Sequence, residues 1–96
     1  MAEIIWTKEA EAWLKDIHTY IAQNNHIAAA DVINGIYYKV QTLLDFPDIG
    51  YKYDSESYDS VRIILYGHYR IAYLVESGNI YILGIFHGAL DIEKLL

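Results

Sequence analysis

The spacing of apolar residues changes midway along the chain, and this change does most to limit how the chain can fold. Between Ala10 and Ile21 the apolar residues recur at helical intervals, so that they line one face of an α-helix. A second helical stripe runs from Ala29 to Leu44. From Val61 onward β-branched and aromatic residues predominate, and these residues favour strands. A helical first half therefore precedes a sheet-forming second half.

Local signals predict where the helices begin and end. Thr7 is a typical helix N-cap, and the two asparagines at 24–25 interrupt the pattern between the stripes. Pro47 and Gly50 end the second helix. Because the break at 24–25 is short, we expect the two helices to pack as an antiparallel hairpin. The apolar stretch at 3–6, before the first helix, predicts a short N-terminal strand.

Tight-turn signals divide the second half into strands. Residues 51–60 are polar and predict a loop with a brief strand at 51–53. The pairs at 67–68 and 77–78 each contain a glycine and favour hairpin turns. The chain is therefore predicted to be a single α+β domain, in which a helix hairpin packs on one face of an antiparallel sheet of about three to four strands. The three main strands are predicted at 61–66, 69–75 and 79–86.

Both faces of this predicted sheet are apolar. With two-residue turns, position 66 faces 69, 65 faces 70, 76 faces 79 and 73 faces 82. Uniform alternation then places Arg70, Ile85 and His87 on one face, with Tyr73 and Phe86 on the other. In an antiparallel sheet with one solvent-exposed face, apolar and polar residues should alternate along each strand, and here they do not.

The predicted helices can cover only one of these two faces. The face that carries Arg70 must then be covered by loops, by the C-terminal tail, by a second copy of the chain or by a partner protein. We interpret it as a partner-binding surface. Its predicted contact residues are Val61, Ile63, Leu65, Arg70, Leu74, Tyr81, Leu83 and Ile85.

The charge balance narrows the choice of partners. The 96 residues include seven Lys or Arg and 13 Asp or Glu, for a formal net charge of −6. Proteins that bind nucleic acid usually present a basic surface, because contacts with the phosphates supply most of the affinity. Direct nucleic-acid binding is therefore disfavoured. The chain has no cysteine, no signal-peptide pattern and no apolar run of the roughly 20 residues that span a bilayer, so we expect a cytoplasmic protein.

Two arginines in the strands are candidates for function. Arg70 lies on the face predicted to be open, where it could serve a partner or catalysis, or simply pair with Glu76 or Asp91. Arg62 lies on the other face beside Tyr73 and is interpreted as structural, with its guanidinium stacked on an aromatic ring.

His87 is the candidate proton carrier. It follows the last strand on the predicted Arg70 face, although a histidine there could equally hydrogen-bond to the tail. The other histidines show no metal-ligand spacing, so no metal site and no cofactor are predicted.

Several short motifs occur in a recognisable order. Trp6-Thr7 precedes the first helical stripe, and Phe-Pro-Asp-Ile-Gly at 46–50 follows the second. Tyr-Arg-Ile-Ala-Tyr stands at 69–73 and His-Gly-Ala-Leu-Asp at 87–91. Over nearly the whole chain this order resembles the ParE/RelE toxin superfamily. The resemblance implies the toxin of a type II toxin–antitoxin, or plasmid stabilisation, system, held by a ParD-like or RelB-like antitoxin.

The superfamily contains two activities, and the resemblance separates them by residue type. RelE-like members cut messenger RNA on the ribosome with paired lysines, an arginine pair and a late tyrosine or histidine. Here the lysine positions correspond to Val61 and Ile63. The late arginine corresponds to Gly88 or Leu90, and a late tyrosine would fall near Lys94.

Of the RelE-like cations only Arg70 remains. The resemblance therefore implies a ParE-like toxin that inhibits DNA gyrase by binding, although Leu90 departs from the arginine in the ParE string His-Gly-Ala-Arg-Asp. Two alternatives stay open. One is a ribosome-dependent endonuclease built on Arg70 and His87, and the other is a non-toxic relic that only binds antitoxin.

Overall fold

The computed structural model describes residues 2–87. In this part of the chain a short strand precedes two helices, and a strand meander follows them, as the sequence predicts. The predicted tail at 91–96 lies outside these residues. The strands are β1 (Ile4–Trp6), β2 (Tyr51–Tyr53), β3 (Val61–Tyr66), β4 (Tyr69–Glu76) and β5 (Asn79–Phe86). The helices are α1 (Lys8–Ala22) and α2 (His26–Gln41), and a short 3₁₀ helix (Thr42–Leu44) follows α2.

The predicted Thr7 cap is confirmed, and the predicted break at 24–25 supplies a second cap that was not predicted from the sequence. The Thr7 hydroxyl accepts a hydrogen bond from the Ala10 N–H at 3.2 Å and donates one to the Ile82 carbonyl at 2.7 Å. The Asn25 side chain accepts from the Ala28 N–H at 3.0 Å and caps α2. Thr7 thus satisfies a free N–H of the first turn of α1 and also fastens that turn to β5.

The sheet has five strands in the order β1-β5-β4-β3-β2, and it is mixed. The meander from β2 to β5 is antiparallel, as predicted, but β1 runs parallel to β5. The prediction of an antiparallel sheet of three to four strands was therefore wrong in strand number and in direction at this edge. The connection between β1 and β5 contains the helix hairpin and strands β2 to β4, and it is long enough for the two strands to run in the same direction.

The two hairpin turns form where glycine predicts them. Gly67, Ser77 and Gly78 adopt positive φ angles of 58°, 54° and 80°. Such angles give the turn a twist that matches the strands on either side. The predicted register is confirmed on both sides: Tyr66 faces Tyr69 and Leu65 faces Arg70, while Glu76 faces Asn79 and Tyr73 faces Ile82.

One irregularity in β5 breaks the predicted alternation. Tyr73 pairs with Ile82, but the preceding Ala72 pairs with Gly84, so Leu83 is an extra residue between the two pairs. An extra residue of this kind reverses the side of every residue after it. Ile85 therefore faces the helices and Phe86 faces the Arg70 side, so the predicted faces of both residues were wrong.

The helix-facing side of the sheet holds the main core. Ala10 and Leu14 of α1 and Ile36 and Val40 of α2 are buried against it. Their intervals of four residues place each pair on one helix face, as the sequence pattern predicts. The buried residues of the sheet in this core are Ile64, Ile71, Tyr73, Ile80, Ile82 and Ile85.

The opposite side of the sheet, which we call the second face, is also buried. In the single chain Val61 and Ile63 are 1% exposed, and Leu74 and Leu83 are below a tenth. These four side chains are already buried in the single chain, so the bare apolar surface that the sequence predicted is not present at these positions. The second-face cluster consists of Val61, Ile63, Ala72, Leu74, Leu83 and Phe86, with Trp13, Tyr53 and Tyr81 packed around it.

Candidate functional site

Arg70 lies on the second face, half-buried between the neighbouring strands. Its register partners are Leu65 on β3 and Phe86 on β5. The guanidinium Nη1 donates a hydrogen bond to the Tyr51 hydroxyl at 3.1 Å. Glu76 does not pair with it, and Asp91, the other predicted partner, lies outside the described residues. Arg70 therefore keeps most of its donors free of protein partners within residues 2–87.

His87 lies on the opposite side of the sheet from Arg70. Its imidazole centroid is 5.4 Å from the ring of Tyr69 and 6.1 Å from that of His68. Tyr69 packs with the helix-side core, whereas Arg70 points to the second face. The prediction that Arg70 and His87 share a face was wrong, because the extra residue in β5 reverses the alternation before His87.

Within residues 2–87, the second face does not carry the set of cations that the RelE-like resemblance associates with RNA cleavage. Val61 and Ile63, at the positions of the RelE-like lysines, are buried apolar side chains. On the strands of this face, within residues 2–87, Arg70 is the only cation. A single guanidinium can stabilise phosphate charge, but activation of a ribose hydroxyl also needs a positioned proton acceptor. Gly88, Leu90 and Lys94, the remaining positions compared by resemblance, lie outside the described residues.

Arg62 has a structural role, as predicted, but it supports a loop, and the predicted stacking on an aromatic ring was wrong. It pairs with Tyr73 across the strands, and its Nη1 donates to the Gly50 carbonyl at 2.7 Å and to the Asp48 carbonyl at 3.2 Å. Its Nε lies 3.8 Å from the Asp48 carboxylate. The guanidinium is thus engaged with backbone oxygens of the 48–50 loop rather than stacked on a ring, and it holds this loop against β3.

Tyr73 fastens the same loop from inside the core. Its hydroxyl donates to the Pro47 carbonyl at 2.8 Å and accepts from the Gly50 N–H at 2.9 Å. A side chain at Gly50 would begin 2.7 Å from the Tyr73 hydroxyl and 2.9 Å from the Ile63 carbonyl, so the close approach requires glycine. Arg62 and Tyr73 therefore fix the loop that leads into β2.

An exposed apolar edge lies beside this loop and was not found from the sequence. We call it the edge patch: it consists of Phe46, Ile49, Tyr51 and Leu65, each at least two-fifths exposed. A cleft of about 280 Å³ at its centre is lined by Ile49, Tyr51 and Leu65, and by Lys39 of α2. One signal for this edge was present in the sequence. The strand predicted at 51–53 is shorter than the strand predicted at 61–66, so it could not pair along the full length of the longer strand.

The pairing of β2 leaves the neighbouring strand partly open. β2 pairs with Val61, Arg62 and Ile63 only. Within the described residues, the outer backbone edge of β3 from Ile64 to Tyr66 has no strand beside it. Unpaired edges of this kind accept an added strand readily.

Two other kinds of site are not found in the described part of the chain. Residues 2–87 contain no group of three or more His, Cys, Asp or Glu side chains that could hold a metal ion. None of the helices described is both long enough and apolar enough to cross a membrane.

Comparison with known proteins agrees with this architecture. The family model described as ParE toxin of type II toxin-antitoxin system, parDE, matches residues 4–92. A solved structure described as the chromosomal ParDE TA system from P. aeruginosa superposes with a TM-score of 0.76 at 24% sequence identity, covering 93% of this chain and 98% of that one. No curated protein matches. Because the family model spans nearly the whole sequence, this chain belongs to the ParE toxin family of type II toxin–antitoxin systems.

Proposed function

We propose that this toxin acts in the cytoplasm by binding a protein target, DNA gyrase, and that a cognate antitoxin neutralises it. The observation that carries the binding mechanism is the separation of Arg70 from His87 by the sheet itself. A nuclease would need a cation and a proton carrier at one scissile bond. Here buried Val61 and Ile63 occupy the positions where further cations would be needed.

We place the antitoxin contact at the edge patch, where part of the predicted partner surface is accessible to solvent. Of the eight predicted partner residues, Leu65 is 53% exposed and Arg70 and Tyr81 are half-buried, while the other five are buried. Leu65 belongs to the edge patch and lies on the unpaired part of β3. An extended antitoxin segment could add a strand here, with an apolar side chain against Ile49 and Tyr51.

Induction of the gene in a sensitive bacterium tests the target. We expect growth arrest with blocked replication and DNA damage signalling, and inhibition of gyrase supercoiling by the purified chain. Co-expression of the neighbouring small gene should restore growth. Rapid cleavage of ribosome-bound messenger RNA would instead favour the endonuclease alternative. Harmless expression without the neighbouring gene would indicate a relic that retains only antitoxin binding.

A charge placed in the edge patch tests the antitoxin contact. Leu65→Glu should weaken antitoxin binding by about tenfold or more, because the substitution removes an apolar contact and buries a carboxylate at the interface, which costs desolvation. Titration calorimetry with the purified antitoxin measures the change. Val75→Glu is the matched control. Val75 is also an exposed strand residue, but it lies near the end of β4, whereas Leu65 pairs with Arg70 near the start of β4. Equal affinities for the two variants would contradict the proposed contact.

A further inference from the structure

A second cleft lies on the helix side, between α1 and the ends of β4 and β5. Its volume is about 300 Å³, at the lower end of ligand-pocket volumes. The α1 residues that line it stand at intervals of three, four and seven from Trp13, so that they share one helix face. We call it the α1 cleft, and its lining residues are Trp13, Asp16, Ile17, Tyr20, Tyr69 and His87.

Aromatic rings dominate this cleft. Trp13 packs edge-on to Phe86, and the Tyr69 ring is 5.4 Å from the His87 ring. Burial raises the pKa of Tyr69, and the nearby Tyr20 phenol raises it further. The Tyr69 phenol therefore stays neutral at physiological pH. The tyrosine rings present electron-rich surfaces in a cleft that is open to solvent.

One carboxylate completes the lining. Asp16 is exposed, and within residues 2–87 it forms no ion pair. Among residues 2–87, no lysine or arginine lines the cleft. The chain as a whole carries a formal charge of −6, so the long-range field also favours an approaching cation.

We propose that the α1 cleft binds a basic side chain, lysine or arginine, presented by a partner polypeptide. Aromatic faces attract ammonium and guanidinium groups, and the Asp16 carboxylate adds charge complementarity at the same place. An acidic side chain would be repelled by Asp16. A neutral apolar side chain would fill the volume but would gain nothing from the carboxylate. This inference does not depend on which protein the toxin inhibits.

The size of the cleft limits the ligand to one side chain or a group of similar size. Trp13, Ile17 and Tyr69 are half-buried and supply its floor, whereas Asp16, Tyr20 and His87 are exposed at its mouth. The aliphatic stem of a lysine or arginine would lie along the apolar floor while its charged end stays near the wet rim. The position of the carboxylate at the rim fits this orientation.

An NMR titration of the isolated chain with blocked tripeptides tests the proposal. The central residue of the tripeptide is lysine, arginine, norleucine or glutamate. We expect the Trp13 indole and Tyr69 amide signals to move with the two basic peptides. These peptides should bind about twofold to fivefold more tightly than the norleucine peptide, the margin expected of a weak cation–π contact. The glutamate peptide should cause the smallest change.

Substitutions at the rim separate charge from ring chemistry without disturbing the core. Asp16→Asn should weaken lysine binding by about twofold to fivefold, whereas Asp59→Asn, the same charge change in a distant loop, should not. Tyr20→Leu should weaken binding, and Tyr20→Phe should retain it because the ring face remains.

Three results would overturn the proposal. The first is an equal response to the lysine and norleucine peptides, which would indicate a neutral apolar groove. The second is unchanged lysine binding by Asp16→Asn. The third is the absence of any shift at Trp13 and Tyr69 with the basic peptides.

Discussion

Replacement of Phe86 by alanine is expected to lower the free energy of unfolding by about 3–5 kcal/mol. The Phe86 ring is 2% exposed, and it packs at 5.1 Å, edge to face, against Trp13. It also covers Gly84, where an added Cβ would lie 2.6 Å from the ring. The loss would be a large share of a total stability of about 5–15 kcal/mol. Urea unfolding followed by circular dichroism measures it.

Leu65→Ala is the matched control for this substitution. Leu65 is also a large apolar residue of the second face, but it is 53% exposed, so its truncation should change the free energy of unfolding by only about 0.5 kcal/mol. Similar losses for the two variants would show that Phe86 is not enclosed as described.

Tyr73→Phe should cost about 1–3 kcal/mol through the loss of one oxygen atom. Without the hydroxyl, the Gly50 N–H loses its hydrogen-bond acceptor and the Pro47 carbonyl loses its donor. Both groups belong to the loop that leads into β2, so local order should fall together with stability. Urea unfolding measures the free energy, and amide hydrogen exchange at Gly50 reports on the loop.

Tyr38→Phe is the control for Tyr73→Phe, because the Tyr38 side chain is 78% exposed and its phenol is available to water. It should leave both readouts unchanged. Undiminished protection of the Gly50 amide in Tyr73→Phe would contradict the described hydrogen bonds.

Alkaline pH offers a second measurement of the Tyr73 environment. Burial raises the pKa of Tyr73 above its ordinary value of 10.0, although the Gly50 N–H and Arg62 act in the opposite direction. As the pH rises above 10.0, the unfolded chain gives up this proton before the folded chain does. The unfolded state then binds fewer protons, and the free energy of unfolding falls with rising pH. Tyr73→Phe should show a shallower fall over this range.

The local parts of this fold could be predicted because their causes are local. Thr7 and Asn25 cap helices through side chains that reach only three residues ahead. The turns at 67–68 and 77–78 depend on the conformational freedom of glycine within the turn itself. These features follow from short stretches of sequence, and they set most of the element boundaries.

The partner of β1 could not be predicted in the same way. Ile4 pairs with Ile80, far along the chain, and nothing in either short strand specifies the other. Uniform alternation also failed at Leu83, since the extra residue depends on how the paired strands fit together. Gly84 was the one available signal, because a glycine inside a strand often accompanies a bulge.

The unpredicted extra residue at Leu83 also made part of the site prediction wrong. The prediction that Arg70 and His87 share a face relied on the alternation past residue 83, and so did the assignment of Ile85 to the partner surface. The burial of Val61 and Ile63 in the single chain is likewise a property of the whole fold. An alternating pattern gives the side of a residue but does not show what covers that side.

The attachment of Thr7 to Ile82 has a consequence for how the toxin is made. These residues are 75 positions apart, and β1 has no neighbour other than β5 in the described sheet. During synthesis the first strand therefore emerges long before the segment that completes its pairing, and contacts of such large sequence separation form slowly. The complete sheet therefore forms only after β5 has been synthesised, and until then β1 has no strand to pair with in the described sheet.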